Sequence, residues 1–243
     1  MKQVMITGIS SGIGFGLASE FLRQGAEVTG ISRRQPSDLL QHKSFRYAQG
    51  DLRVESEVDN AVSQLLQPQS QLDLIVLNAG VLGEFGDLAD ASMQDLLNTM
   101  SINVWANKWV MDAIRRLDGS VRQIVAISSG ASVNGNRGWS GYSISKAALN
   151  MMMKLYSEEL PETHITSLAP GLVDTAMQDQ LCGRQPDDRF PALEFLRGKR
   201  NTEEMPDAEA AAQMLCRVIT QLPNQVKSGE YVDVRNLSFE LEA

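Results

Sequence analysis

The sequence predicts an α/β protein: a doubly wound parallel sheet of about seven strands with helices on both faces, folded as a single domain over residues 1–243. Three observations point there. Short apolar runs alternate along the chain with longer segments of helical pattern, the order expected of successive βαβ units. The runs are apolar on successive positions, so both faces of each strand are covered, as in parallel sheets. Each of the first six runs ends in a short polar or glycine-containing stretch. In a doubly wound sheet those ends gather along one edge, where such folds bind ligands.

The elements follow in order. QVMI (3–6) leads into TGISSGIG (7–14) and a helix over 12–24. EVTGI (27–31) ends in SRR (32–34). SFRYA (44–48) ends in GDL (50–52), before a helix over 54–66. DLIVL (73–77) ends in NAG (78–80), before a long helix over 92–117. QIVAI (123–127) ends in SSG (128–130), and a helix over 142–160 stops ahead of Pro161, which lacks an N–H and clashes with the preceding turn. HITSL (164–168) ends in Pro170 and Gly171. A last helix over 206–221 and the run EYVDV (230–234) complete the pattern, with no internal repeat, low-complexity tract or linker.

Bulk composition narrows the function classes. The chain is 43% hydrophobic and 21% charged, with a net charge of −8. That acidity argues against nucleic-acid backbone binding as the main task. No run of eighteen apolar residues is present, so no membrane span is expected. Cys182 and Cys216, with His42 and His164, have no metal-ligand spacing, so no metal site is expected. The N-terminus enters a strand directly and does not read as a signal peptide, and the expectation is a reduced, cytoplasmic protein.

Chemistry concentrates at the strand ends. Gly8, Gly12 and Gly14 open the first helix as G-x-x-x-G-x-G: a sharp turn, a close backbone approach to a pyrophosphate and tight helix–sheet packing. Backbone N–H groups there, with the Ser10 and Ser11 hydroxyls, suit phosphate oxygens. Ser32 stands where an acid would grip the ribose hydroxyls of NAD, and Arg33 and Arg34 follow it. A guanidinium fork suits a 2′-phosphate, which favours NADP(H); the alternative is two solvated arginines. Asp51, with Leu52, either touches an adenine or simply forms a turn. Ser129 precedes Tyr142 by thirteen residues, across a loop of turn residues able to fold it back. Asn103 lies in the middle of the long helix, where a middling-to-poor helix former is either solvent-facing or needed for something else. Tyr142 and Lys146 lie one helical turn apart, either by chance or because a nearby ammonium favours the phenolate and makes the phenol a usable acid.

Together these residues resemble the short-chain dehydrogenase/reductase family in its compact single-domain, Rossmann-type form. The resemblance runs through T-G-x-x-x-G-I-G (7–14, including Ile13), Asn78-Ala79-Gly80, Asn103, Ser129, Tyr142-x-x-x-Lys146 and the Pro170, Gly171, Val173, Thr175 segment, and more loosely to residue 234. It implies that Tyr142 is the general acid, that Lys146 lowers its pKa and holds the nicotinamide ribose, and that Ser129 polarises the carbonyl. It further implies that Asn103 holds a water linking Lys146 to solvent. Pro170, Gly171, Val173 and Thr175 would fix the nicotinamide amide. The stretch APGLVDTAMQ (169–178) and the SGEYVDVR ending are similar to the sepiapterin reductase and benzil reductase group, which implies reduction of a small or medium ketone or diketone with NADPH.

Specificity is expected in a lid over about 175–205 and in an apolar pocket from Leu82, Phe85, Val133, Trp139, Leu172 and Met177, although each of these taken singly reads first as core packing. The helix over 142–160 is apolar nearly all round, and Trp105 and Trp109 lie one turn apart on the helix before it. A homodimer, or a tetramer built from it, would cover both. The leading reading is an NADPH-dependent carbonyl reductase. A 3-oxoacyl or steroid-type reductase and a non-catalytic NADP sensor are the alternatives.

Overall fold

The computed structural model describes residues 1–237. β1 (Gln3–Thr7) enters α1 (Gly12–Arg23), and β2 (Glu27–Ser32) leads to β3 (Phe45–Gln49). α2 (Glu55–Leu65) precedes the short β4 (Gln71–Leu72) and β5 (Leu74–Leu77). α3 (Met93–Met100), a π-helical turn over Ser101–Trp105 and α4 (Ala106–Arg116) lead to β6 (Ser120–Val121) and β7 (Gln123–Ile127). α5 (Ala131–Asn134), α6 (Ser140–Glu159) and β8 (His164–Ala169) follow, then α7 (Ala176–Cys182), α8 (Pro191–Lys199), α9 (Ala208–Gln225) and β9 (Tyr231–Asp233).

The main sheet has the order β3-β2-β1-β5-β7-β8-β9, and every pairing in it is parallel. The chain runs outward from β1 to β3, then returns to β5 on the other side of β1. The junction of β1 and β5 is therefore the switch point at which ligands bind in such sheets. All seven expected strands are present, making this a single-domain Rossmann-type fold.

Side-chain alternation along the strands builds two cores. Val4, Ile6, Val28, Leu74 and Val76 pack under α1 and α9, where Phe21, Leu215 and Ile219 are buried. Met5, Ile31, Ile75, Leu77 and Ile124 face the other way, against α2, α4 and α6 through Val62, Val110 and Leu149. Both faces of the strands are apolar because both are covered.

Two expected boundaries change for identifiable reasons. The helix expected over 92–117 runs without a gap from Met93 to Arg116 but carries a π turn centred on Asn103. The final helix was expected to end at 221 but runs to Gln225, with Pro223 inside it. Pro223 cannot donate to the carbonyl four residues back, that of Ile219. Gln123 Nε2 of β7 donates to that carbonyl instead at 2.8 Å, so the buried acceptor is satisfied and the helix continues.

Candidate active site

The switch point is held together by side chains of the two strand ends. Asn78 Nδ2 donates to the carbonyls of Thr7 at 3.0 Å and Gly8 at 3.1 Å, and the Thr7 hydroxyl accepts from the Asn78 backbone N–H at 3.0 Å. Gly8 has φ +73, and a Cβ there would lie 2.8 Å from Ala79 Cα. The chain can make this turn against β5 only with glycine.

From this junction a cavity of about 690 Å³ runs along the strand ends. Gly8, Ser10, Ser11, Gly12 and Ile13 line it beside Asn78, Ala79 and Gly80. Arg33, Arg34, Asp51 and Leu52 lie at one end; Ser129, Tyr142, Lys146, Pro170, Gly171, Val173 and Thr175 line the rest. Of the catalytic and cofactor-binding residues expected from sequence, only Gly14 and Asn103 stand outside the lining. The cavity has the size of a cofactor and substrate site. The glycine turn, the helix start of α1 and the arginines at the far end fit a dinucleotide, whose pyrophosphate a helix N-terminus would receive.

At the arginine end, Ser32 is buried and its hydroxyl donates to the Arg34 carbonyl at 2.8 Å, shaping the turn that carries both exposed arginines into the lining. Asp51 is engaged by Arg53, whose Nε lies 3.0 Å from each carboxylate oxygen and whose backbone N–H donates at 3.0 Å. The Arg53 guanidinium holds the Asp51 carboxyl below the usual carboxylate range. These are the contacts of a turn-forming carboxylate, and Asp51 also lines the cavity. Arg53 itself lines the cavity and was not singled out from sequence, although it stands two residues after Asp51.

At the other end, α6 presents Tyr142 and Lys146 from one face, and both are buried. Lys146 Nζ donates to the Ile127 carbonyl at 2.7 Å and lies 5.8 Å from the Tyr142 ring centre. Burial pushes the Lys146 ammonium down to about 8. Burial also raises the Tyr142 phenol above its ordinary value, and the Ser129 hydroxyl draws it partly back. The lowering expected from Lys146 is not the dominant influence here, because Nζ is directed at a backbone carbonyl and desolvation acts on both groups.

Asn103 is fully buried within the π turn, which excludes the solvent-facing reading. Its Oδ1 accepts from the Val81 N–H at 2.8 Å, and its Nδ2 donates to the Val81 carbonyl and to Ser145 Oγ, each at 2.9 Å. Asn107 Nδ2 donates to the Asn103 carbonyl at 2.9 Å. The side chain thus ties the segment after β5 to α6.

The expected apolar pocket is partly correct. Leu82, Trp139, Leu172 and Met177 line the cavity. Phe85 is buried behind Trp139, edge-on at 5.4 Å, and Val133 is 66% exposed outside it. From the expected lid, α7 and α8 contribute Met177, Gln178, Leu181, Phe195 and Leu196. Arg235 was also missed. It lines the cavity, donates through Nη2 to Asp233 at 2.6 Å, and its Nη2 lies 3.2 Å from where a Cβ on Gly130 would stand.

This fold and edge are those of a dinucleotide-binding α/β protein. The chain belongs to the short-chain dehydrogenase family, whose pattern matches residues 2–185. It is 34% identical over 187 residues to an uncharacterised oxidoreductase of Schizosaccharomyces pombe, covering 73% of each chain. It is 27% identical over 247 residues to a benzil reductase, (S)-benzoin forming, of Bacillus subtilis, covering 97% of this chain and 99% of that one. The crystal structure of a short-chain dehydrogenase/reductase from Saccharomyces cerevisiae superposes with a TM-score of 0.81 at 24% identity, covering 96% of both chains. Among the described residues no helix is long and apolar enough to cross a membrane, and no cluster of metal-ligating side chains is found.

Proposed function

We propose that the protein is an NADPH-dependent carbonyl reductase acting on a small or medium ketone or vicinal diketone. The observation that carries this reading is the meeting of Ser129, Tyr142 and Lys146 at one end of a cavity whose other end is lined by Arg33 and Arg34. The full-length likeness to a benzil reductase supports the diketone class.

The cofactor, when bound, supplies a hydride to the carbonyl carbon. Tyr142 gives its phenolic proton to the carbonyl oxygen as charge develops there, and the Ser129 hydroxyl donates a hydrogen bond to the same oxygen. The Lys146 ammonium steadies the phenolate left behind. Leu82, Trp139, Leu172 and Met177 present apolar surface to the substrate, and α7 and α8 act as its cover. Arg33 and Arg34, with no acid at Ser32, favour the 2′-phosphate of NADPH over the free hydroxyl of NADH.

The homodimer belongs to the same proposal. Met93, Leu97, Trp105, Ile144, Met151 and Leu155 are exposed on α3, the π turn and α6, each at 47% or more. Such a set on adjoining helices is a surface that a two-fold partner would cover. Trp109, in contrast, packs against the core and does not belong to it. Sedimentation as a dimer at micromolar concentration, shifted toward monomer by Leu155→Asp, is the expected result; a wild-type monomer would overturn this part.

The test of the activity is loss of NADPH absorbance, beside NADH, with a vicinal diketone, sepiapterin and an acetoacetyl ester as substrates. Diketone turnover with NADPH exceeding that with NADH supports the reading. Binding of NADPH without turnover of any of the three contradicts it.

A further inference from the structure

Two turns along α6 from Tyr142, and one from Lys146, the same helix carries Asn150, so the three residues succeed one another at intervals of four and share a face. Asn150 is not part of the cavity lining. Its side chain instead joins a chain of hydrogen bonds that ends on the backbone of Ser129. Ser128 Oγ donates to Asn150 Oδ1 at 2.6 Å. Asn150 Nδ2 donates to Ser132 Oγ at 2.9 Å. Ser132 Oγ donates to the Ser129 carbonyl at 2.6 Å. The Ser129 hydroxyl meanwhile accepts from the Ala131 N–H at 3.1 Å, so the turn after β7 is held from both sides.

The direction of these bonds follows from the chemistry of the groups. A serine hydroxyl has one proton, while an amide offers a fixed acceptor and a fixed donor. Ser128 directs its proton at the Asn150 carbonyl oxygen and so orients the amide. The amide N–H then occupies a lone pair of Ser132 Oγ, leaving the Ser132 proton for the Ser129 carbonyl. Neither a leucine nor a carboxylate at residue 150 could reproduce that sequence. Ser128 is 2% exposed, and low exposure makes each bond costly to leave unmade.

We propose that Asn150 is a positioning residue for catalysis: through Ser132 it fixes the Ser129 turn against the helix that carries Tyr142, and so sets the distance between the two groups that meet the carbonyl oxygen. The inference rests on the reductase reading above. A shift of about 1 Å in such a group can cost on the order of a hundredfold in rate. The cofactor end of the cavity lies on other elements, so the effect falls on kcat and not on the KM for NADPH.

The experiment is a double-mutant cycle in kcat with a vicinal diketone. Asn150→Ala and Ser132→Ala are each expected to lower kcat about ten- to a hundredfold with the NADPH KM changed less than about threefold. In a Ser129→Ala background, either change should remove less than about a further threefold, since the group being positioned is gone. Asn150→Asp keeps the shape but accepts the Ser132 proton, and should lose as much kcat as Asn150→Ala. Ser132→Ala lies off α6 and keeps the test available if the Asn150 variants do not fold. Full additivity with Ser129→Ala, or unchanged kcat in Ser132→Ala and Asn150→Asp, would overturn the proposal. Absence of turnover by the wild type would instead remove the reductase reading on which it stands.

Discussion

Lys146 Nζ donates to the carbonyl oxygen of Ile127 at 2.7 Å, and that bond fastens α6 to the last residue of β7. The strand end that leads to Ser129 and the helix that carries Tyr142 therefore share a buried ammonium group. The same burial makes the group expensive for the fold.

Burial lowers the Lys146 pKa from 10.5 to about 8. Below about 8 both folded and unfolded chains carry the proton, and the fold bears the whole desolvation cost. Between about 8 and 10.5 the unfolded chain holds a proton that the folded one has lost, so stability contributed by this group rises with pH. The cost below that window is roughly 3 kcal/mol, from about 1.4 kcal/mol per pKa unit. Lys146→Met removes it but orphans the Ile127 carbonyl, worth about 1–3 kcal/mol. The expected outcome at pH 7, without added cofactor, is a melting temperature unchanged or raised by up to about 8 °C, with turnover lost. Calorimetry of both proteins across pH 7 to 10 checks this, and the advantage of the variant should shrink as pH rises.

Gly14 stands outside the cavity but under its floor. A Cβ there would lie 2.3 Å from Asn78 Nδ2 and 2.4 Å from the Gly8 carbonyl oxygen. Asn78 cannot withdraw without breaking its bonds to Thr7 and Gly8. Gly14→Ala should destabilise the protein by about 3 kcal/mol or more. A urea midpoint within experimental error of wild type would contradict that.

Arg33 and Arg34 are exposed in the cavity lining, and replacing both with alanine leaves the core untouched. Loss of charge-assisted bonds to a 2′-phosphate should raise the NADPH KM about 10- to 100-fold, at about 1.5–3 kcal/mol for a bond to a charged group. The NADH KM should stay within about twofold. Initial rates with each cofactor at saturating substrate separate the two effects. Equal weakening toward both cofactors would assign the arginines to something other than the 2′ position.

Much of the sheet and of the site was legible in the sequence because strands covered on both faces leave uninterrupted apolar runs, and the turns that follow them need small residues. Gly8, Asn78, Ser129 and Pro170 could be located from those two signals, and Tyr142 from its one-turn spacing to Lys146. The π turn could not, since no Gly or Pro marks it; it forms where the Asn103 amide reaches both backbone groups of Val81, a contact between segments 22 residues apart. The continuation of α9 past Pro223 depends in the same way on Gln123, 96 residues from Ile219. Arg53 and Arg235 were missed because each follows an acid by two residues and reads locally as an ordinary turn. Only the tertiary fold brings both to the cavity. At Tyr142 the sequence shows the neighbouring charge but not the burial that opposes it.

In the proposed reaction Tyr142 delivers the proton to the substrate oxygen. The most direct measurement is kcat for a vicinal diketone with NADPH in wild type and in Tyr142→Phe, alongside NADPH affinity from fluorescence titration. The expected result is a fall in kcat of about a hundredfold or more with the cofactor still bound, since only the hydroxyl has been removed. A Tyr142→Phe protein that reduces the diketone at close to the wild-type rate would contradict the claim and assign the proton to another group.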